Sequence, residues 1–150
     1  MLEPTAVTWC LVLFGLITCL PLFAAQLVML VAPHGERARA IMIGKGKDWR
    51  DRTHFRAAYG CSWADWLLAF PLLAAGSLAV LLGRPWGYVS WSAAGAMQVF
   101  INTVLWFIEK EDVYPSRGPL RYYTYYWGFF VYWGVLSIVY SAIRLSGITI

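Results

Sequence analysis

Four apolar stretches, each long enough to cross a bilayer, constrain this chain more than anything else in it. Val7 to Val31, Gly60 to Leu82, Trp86 to Ile108 and Tyr122 to Leu145 each exceed the roughly 20 residues that span about 30 Å of hydrocarbon at about 1.5 Å per residue. With 60% hydrophobic and 13% charged residues over 150 positions, the chain is too apolar for an ordinary soluble domain. The expected fold is all-α: one domain over residues 1–150, an integral membrane four-helix bundle with four transmembrane helices. The first stretch has no basic leader and no small-residue cleavage site, so it is expected to be retained. The longest polar stretch, Pro33 to Tyr59, is expected to be a loop.

Charge sets an orientation. Arg37, Arg39, Lys45, Lys47, Arg50, Arg52 and Arg56 lie in the first loop and Lys110, Arg117 and Arg121 in the third, against Arg84 and Arg144 on the opposite side. The positive-inside rule places both large loops in the cytoplasm and both termini outside. A basic run beside a membrane helix serves topology and attracts anionic headgroups, so nucleic acid is not expected as a partner. Cys10 and Cys19 are nine apart on one helix and face opposite ways. With Cys61 they show neither a disulfide framework nor metal-ligand spacing. His34 and His54 are read as solvated loop residues, and no metal or organic cofactor is expected.

Polar groups inside the apolar stretches are the candidates for function. In the third stretch Gln98, Asn102 and Glu109 sit at i, i+4 and i+11, on one helical face at about 100° per residue. Such a stripe must face protein, ligand or water rather than lipid. Small residues at Ala93, Ala94, Gly95 and Ala96 allow close approach of a neighbouring backbone. In the first stretch Pro21 predicts a kink, and Gln26 either faces the bundle or reaches toward headgroups. In the second, which contains Pro71, Asp65 is either a structural acid paired with a loop arginine such as Arg56 or a proton-transferring, ligand-anchoring group. The fourth is dense in aromatics, and Tyr122, Tyr126, Phe129 and Trp133 form a stripe, with Trp133 about 16 Å along the helix from its start. That wall is either interhelical packing or one side of a cavity for an apolar ligand. In the latter case its rings would stabilise developing positive charge.

With these residues in view, the chain resembles the EXPERA-domain family of emopamil-binding sterol isomerases and sigma-two receptor-like membrane proteins. Gln98 and Glu109 match a Gln and a Glu of the isomerase at the same separation, and Asn102 falls where that family has an Asp. The spacing from Pro71 through Pro85 to Gln98, and Pro119-Leu120 followed by the aromatic run and Trp133, are also similar. Cys19-Leu-Pro21 and then Pro33 are similar to the sigma-two receptor's first helix. The resemblance implies a four-helix cavity for a sterol-like lipid, and an orientation with both termini in the cytoplasm. It departs where the isomerase has its acid–base set: Cys19 and Phe23 stand at its helix-one His and Glu, Ser62 at its helix-two Glu, Asp65 at its following Thr, and Phe130 at its helix-four Asn.

Three functions follow as expectations. An isomerase or cyclase acting on a sterol or terpenoid lipid would use Asp65 or Glu109 as proton donor. The other acid, or Asn102, would hold a hydroxyl, and Trp133 would face a carbocation. A non-catalytic lipid-binding or trafficking protein would use the same cavity, with Cys19, Gln26, Ser62, Gln98, Tyr122, Tyr126, Phe129, Phe130 and Trp133 as binding residues. A small structural subunit of a membrane complex would use its small-residue and aromatic faces for partners. The partners expected are an apolar or amphipathic lipid, the membrane and a second copy of the chain.

Overall fold

A computed structural model describes the backbone of residues 2–113 and 120–150, and the side chains of residues 2–107 and 128–150. Among the described residues there are five helices and no strand: α1 (Ala6–Val31), α2 (Glu36–Ile43), α3 (Arg52–Leu81), α4 (Pro85–Val113) and α5 (Leu120–Leu145). Among the described residues three segments are long and apolar enough to cross a membrane: Ala6–Val31, Arg52–Leu81 and Gly128–Leu145. The third expected stretch falls within α4, where Gln98 and Asn102 interrupt the apolar run.

The basic segment is more ordered than a loop. Its charges hide two helical pieces from a reading by hydropathy. Gly35 precedes α2, and Gly44, at φ +102°, ends it in a backbone region that disfavours other residues. Helix α3 starts at Arg52 rather than Gly60, because the Asp51 carboxylate accepts from the Thr53 and His54 backbone N–H groups at 2.6 and 2.9 Å. Beyond this cap, Phe55 stacks on His34 at 5.0 Å and on Tyr59 at 6.0 Å, and Tyr59 meets Trp63 edge-on. The i, i+4 spacing of these three α3 rings builds an aromatic ridge at the basic end of the bundle.

The two Asp51 hydrogen bonds, His54 foremost, hold its carboxyl below the usual carboxylate range. A group whose folded-state pKa is depressed contributes fully above its unfolded value, and that contribution is lost as pH falls through the folded one. Amide protection at Thr53 and His54 is therefore expected to persist at neutral pH, to weaken on acidification below the ordinary carboxylate range, and to be lost at all pH in Asp51→Ala. Hydrogen exchange checks this; a pH-independent profile in the parent would be the contrary result.

Inside α3 the residues Asp65–Ala69 form one π turn, in which the Phe70 N–H reaches the Asp65 carbonyl. Pro71 is the local cause: it has no N–H to continue the ladder, and the helix widens one turn upstream. The turn between α3 and α4 is short because Gly83 takes φ +68° and returns its N–H to the Val80 carbonyl, after which Pro85 opens α4. The hairpin closes tightly where Gly76 faces Ser90 and Trp91, and where Gly87 faces Ala79 and Val80. The most extensive packing is between α4 and α5, whose backbones meet at Gly95 and Gly134. Helix α1 packs on α5 and on the first half of α3, then parts from the second half of α3, Phe70–Leu81.

Candidate functional site: an apolar cavity beside a buried carboxylate

Where α1 and α3 part, a cavity of about 280 Å³ opens between them. One wall is Leu11, Gly15, Cys19 and Phe23 of α1, the other Phe70, Ala74, Ser77 and Leu81 of α3, and Trp133 of α5 also lines it. It extends about 18 Å from Leu11 to Phe23 at about 1.5 Å per residue. Its volume lies just under the roughly 300–1,000 Å³ of typical ligand sites. A ligand here would be held in part, with the rest against lipid. The lining is almost entirely apolar, and its one hydroxyl, Ser77, accepts from Trp91 Nε1 at 3.0 Å.

Trp133 has this place because Gly15 leaves room for it. The fully buried indole donates from Nε1 to the Leu11 carbonyl at 3.0 Å, and a Cβ on Gly15 would lie 2.8 Å from that nitrogen. At the other end of the cavity Phe23 meets Phe70 edge-on at 5.2 Å, and Trp66 Nε1 donates to the Phe23 carbonyl at 3.1 Å. Cys19, Phe23, Ala69 and Phe130 form one buried cluster here.

Beyond that cluster lies the polar centre. Gln26, 3% exposed, donates from Nε2 to Oδ2 of Asp65, 2% exposed. Gln26 therefore faces the bundle, and the partner of Asp65 is this amide. Arg56, the alternative partner, is exposed. Asp65 Oδ1 and Gln26 Oε1 are buried with no hydrogen-bond partner among the described residues. Both are acceptors, so the complementary group on a ligand is a donor. Ser62, one turn earlier in α3 and fully buried, donates to the Ala58 carbonyl at 2.9 Å.

The other candidates are distributed as follows. Gln98 and Asn102 share a buried face of α4, and Asn102 Nδ2 donates to the Gln98 carbonyl at 2.8 Å and to its Oε1 at 3.0 Å. Neither this pair nor Gln26, Ser62, Asp65 or Phe130 lines the cavity, whose end toward Gln26 is formed by Phe23 and Phe70. Phe129 is 45% exposed and meets Phe14 edge-on, so the aromatic stripe divides: Trp133 is buried and Phe129 faces outward, while Phe130, outside the stripe, is buried. The side chains of Glu109, Tyr122 and Tyr126 lie outside the described residues. Sequence reasoning missed Gly15 and the α3 wall from Leu73 to Leu81. A glycine between Phe14 and Leu16 on the helix that carries Pro21 was the one available signal. Comparison with family models, curated proteins and solved structures finds no match for this chain.

Proposed function

We propose that the chain is a four-span membrane protein, with α4 as the fourth span, that binds a sterol- or terpenoid-like lipid bearing a hydroxyl. The observation that carries this reading is an apolar cavity lined by Trp133 that ends at Phe23, about one turn of α1 before Gln26, where Gln26 and Asp65 each hold one buried acceptor oxygen unpaired among the described residues. The apolar body of the lipid lies between α1 and the second half of α3, and its hydroxyl donates to Asp65 or Gln26. An unsatisfied buried acceptor costs about 1–3 kcal/mol, so this hydrogen bond adds selectivity for a hydroxyl over a hydrocarbon. The charge count supports placing the basic segment and the α4–α5 connection in the cytoplasm. The resemblance to the EXPERA domain supports the ligand class and favours the reverse orientation.

A catalytic version of this reading is favoured by Asp65 itself. Its carboxyl, in the acid form, would protonate a ring double bond, Trp133 would face the resulting carbocation, and return of a proton from an adjacent carbon to the Asp65 carboxylate would complete an isomerisation and restore the acid. Asn102 Nδ2 is engaged with Gln98, which leaves Glu109 as the candidate to hold the hydroxyl in this catalytic version.

Mass spectrometry of lipid extracted from gently purified protein tests both. The expected result is a hydroxylated polycyclic or isoprenoid lipid, enriched over the bulk membrane and depleted several-fold in Asp65→Asn. Recovery of bulk phospholipid alone would overturn the binding reading. Equal turnover of the recovered lipid by the parent and by folded Asp65→Asn and Glu109→Gln would remove the catalytic one.

A further inference from the structure

A second buried polar cluster lies at the far end of the bundle, about 24 Å from Asp65 along α3 at about 1.5 Å per residue. Its centre is Arg144, in the last turn of α5 and 2% exposed. Nη2 donates to the Glu3 carbonyl, while Nε and Nη1 are buried with no acceptor among the described residues. Among the described residues no ion pair to Arg144 is found, so no described carboxylate neutralises it. Its guanidinium carbon sits 5.9 Å from the Tyr88 ring centroid, a cation–π contact that offsets part of the burial.

Two hydroxyls in this cluster, Tyr88 Oη and Ser141 Oγ, are also buried and unpaired among the described residues. Ser141 precedes Arg144 by three positions and shares its helical face. Tyr88 lies against Tyr140, with ring centroids 6.0 Å apart. Tyr140 shows the contrast: its hydroxyl is held by Thr5 and Thr8 at 2.7 and 2.6 Å, so the fold satisfies one tyrosine and not its neighbour. The unpaired atoms are two N–H groups of a cation and two hydroxyls, all able to donate. Burying a charge without compensation is strongly unfavourable, and the complement of this set is an anion rich in acceptors.

We propose that Arg144, Ser141 and Tyr88 bind an oxyanion of the phosphate type. The ends of α1, α3, α4 and α5 at Ala6, Leu81, Pro85 and Leu145 bring the site to the bilayer interface, where headgroup phosphates lie. Residues 2–5 wall it off: Leu2 donates to the Gly83 carbonyl at 3.0 Å and Glu3 accepts from Arg144. A ligand reaches the guanidinium by displacing this segment.

The test uses the purified full chain in detergent, titrated with phosphatidylglycerol, inorganic phosphate or diacylglycerol, and read by native mass spectrometry and unfolding temperature. Phosphatidylglycerol is expected to bind at least tenfold more tightly than diacylglycerol. The Tyr88→Phe/Ser141→Ala double variant is expected to lose roughly tenfold of that affinity. Its unfolding temperature without ligand stays level or rises, because the hydroxyls removed are unpaired. Stabilisation by inorganic phosphate as well assigns the site to phosphate in general, and stabilisation by the lipid alone assigns it to a headgroup. Equal binding of diacylglycerol, no binding of either phosphate compound, or unchanged affinity in the double variant would overturn the proposal. Arg144→Gln is expected to abolish binding, and the double variant keeps the test open should that change prevent folding.

Discussion

Gly134→Ala is expected to loosen the α4–α5 interface and destabilise the protein by about 3 kcal/mol, at the upper end of what overpacking usually costs. A Cβ at this position would lie 2.6 Å from the Gly95 carbonyl oxygen and 2.8 Å from Val99 Cγ2. The first obstacle is backbone, which no rotamer change can remove. Gly95 is hemmed in reciprocally by the Gly134 carbonyl and Ser137 Oγ, so Gly95→Ala is expected to act alike. The pair together should fall well short of additive, since either change already separates the helices. Close backbone approach matters here because apolar burial gives helices in lipid little reason to associate, leaving packing and polar contacts to hold them. The control is Gly60→Ala: nothing lies within 4 Å of a Cβ there, and alanine's better helix propensity predicts a gain of up to about 1 kcal/mol. Denaturant or thermal unfolding in detergent, followed by tryptophan fluorescence, separates the two. Equal stability of Gly134→Ala and Gly60→Ala would refute this account of the interface.

Trp133→Ala should cost about 3–5 kcal/mol and empty the proposed lipid site. The indole is fully buried, lines the cavity and donates to the Leu11 carbonyl. Truncation therefore removes its burial, leaves a void between α1 and α5, and strips a partner from a carbonyl. Two milder variants distinguish loss of the ligand from loss of the fold. Trp133→Phe keeps an aromatic surface and loses the Nε1 donor, with an expected cost of about 1–2 kcal/mol and partial retention of lipid. Gly15→Ala leaves the tryptophan intact and displaces it, because the new Cβ meets Nε1 at 2.8 Å. Reduced lipid recovery with a smaller change in stability is expected for Gly15→Ala. Parental stability in Trp133→Ala would show that the indole does not tie α5 to α1.

The membrane-helical class was legible from the lengths of the apolar runs, because hydrocarbon thickness sets a threshold that three segments meet here. The start of α3 was not, since Arg52–Arg56 belongs to the same helix but lies outside its apolar part. A carboxylate cap at Asp51, not hydropathy, fixes that boundary. Asp65 stood out as a carboxylate within an apolar segment. Its partner did not, because Gln26 lies 39 positions away on a different helix.

Residue by residue, the sequence could say which groups a bilayer would not tolerate: Gln26, Asp65, Gln98, Asn102. It could also place them on helices, because periodicity and solvation energy are local properties. Only the tertiary structure decided which of them meet. It paired Gln26 with Asp65 across two helices and Gln98 with Asn102 within one, turned Phe129 out and Trp133 in, and left Arg144 buried with no carboxylate partner among the described residues. Those outcomes depend on where Gly15, Gly95 and Gly134 let helices come close and where Pro71 makes one widen, and such contacts between distant positions leave no periodic trace in the chain.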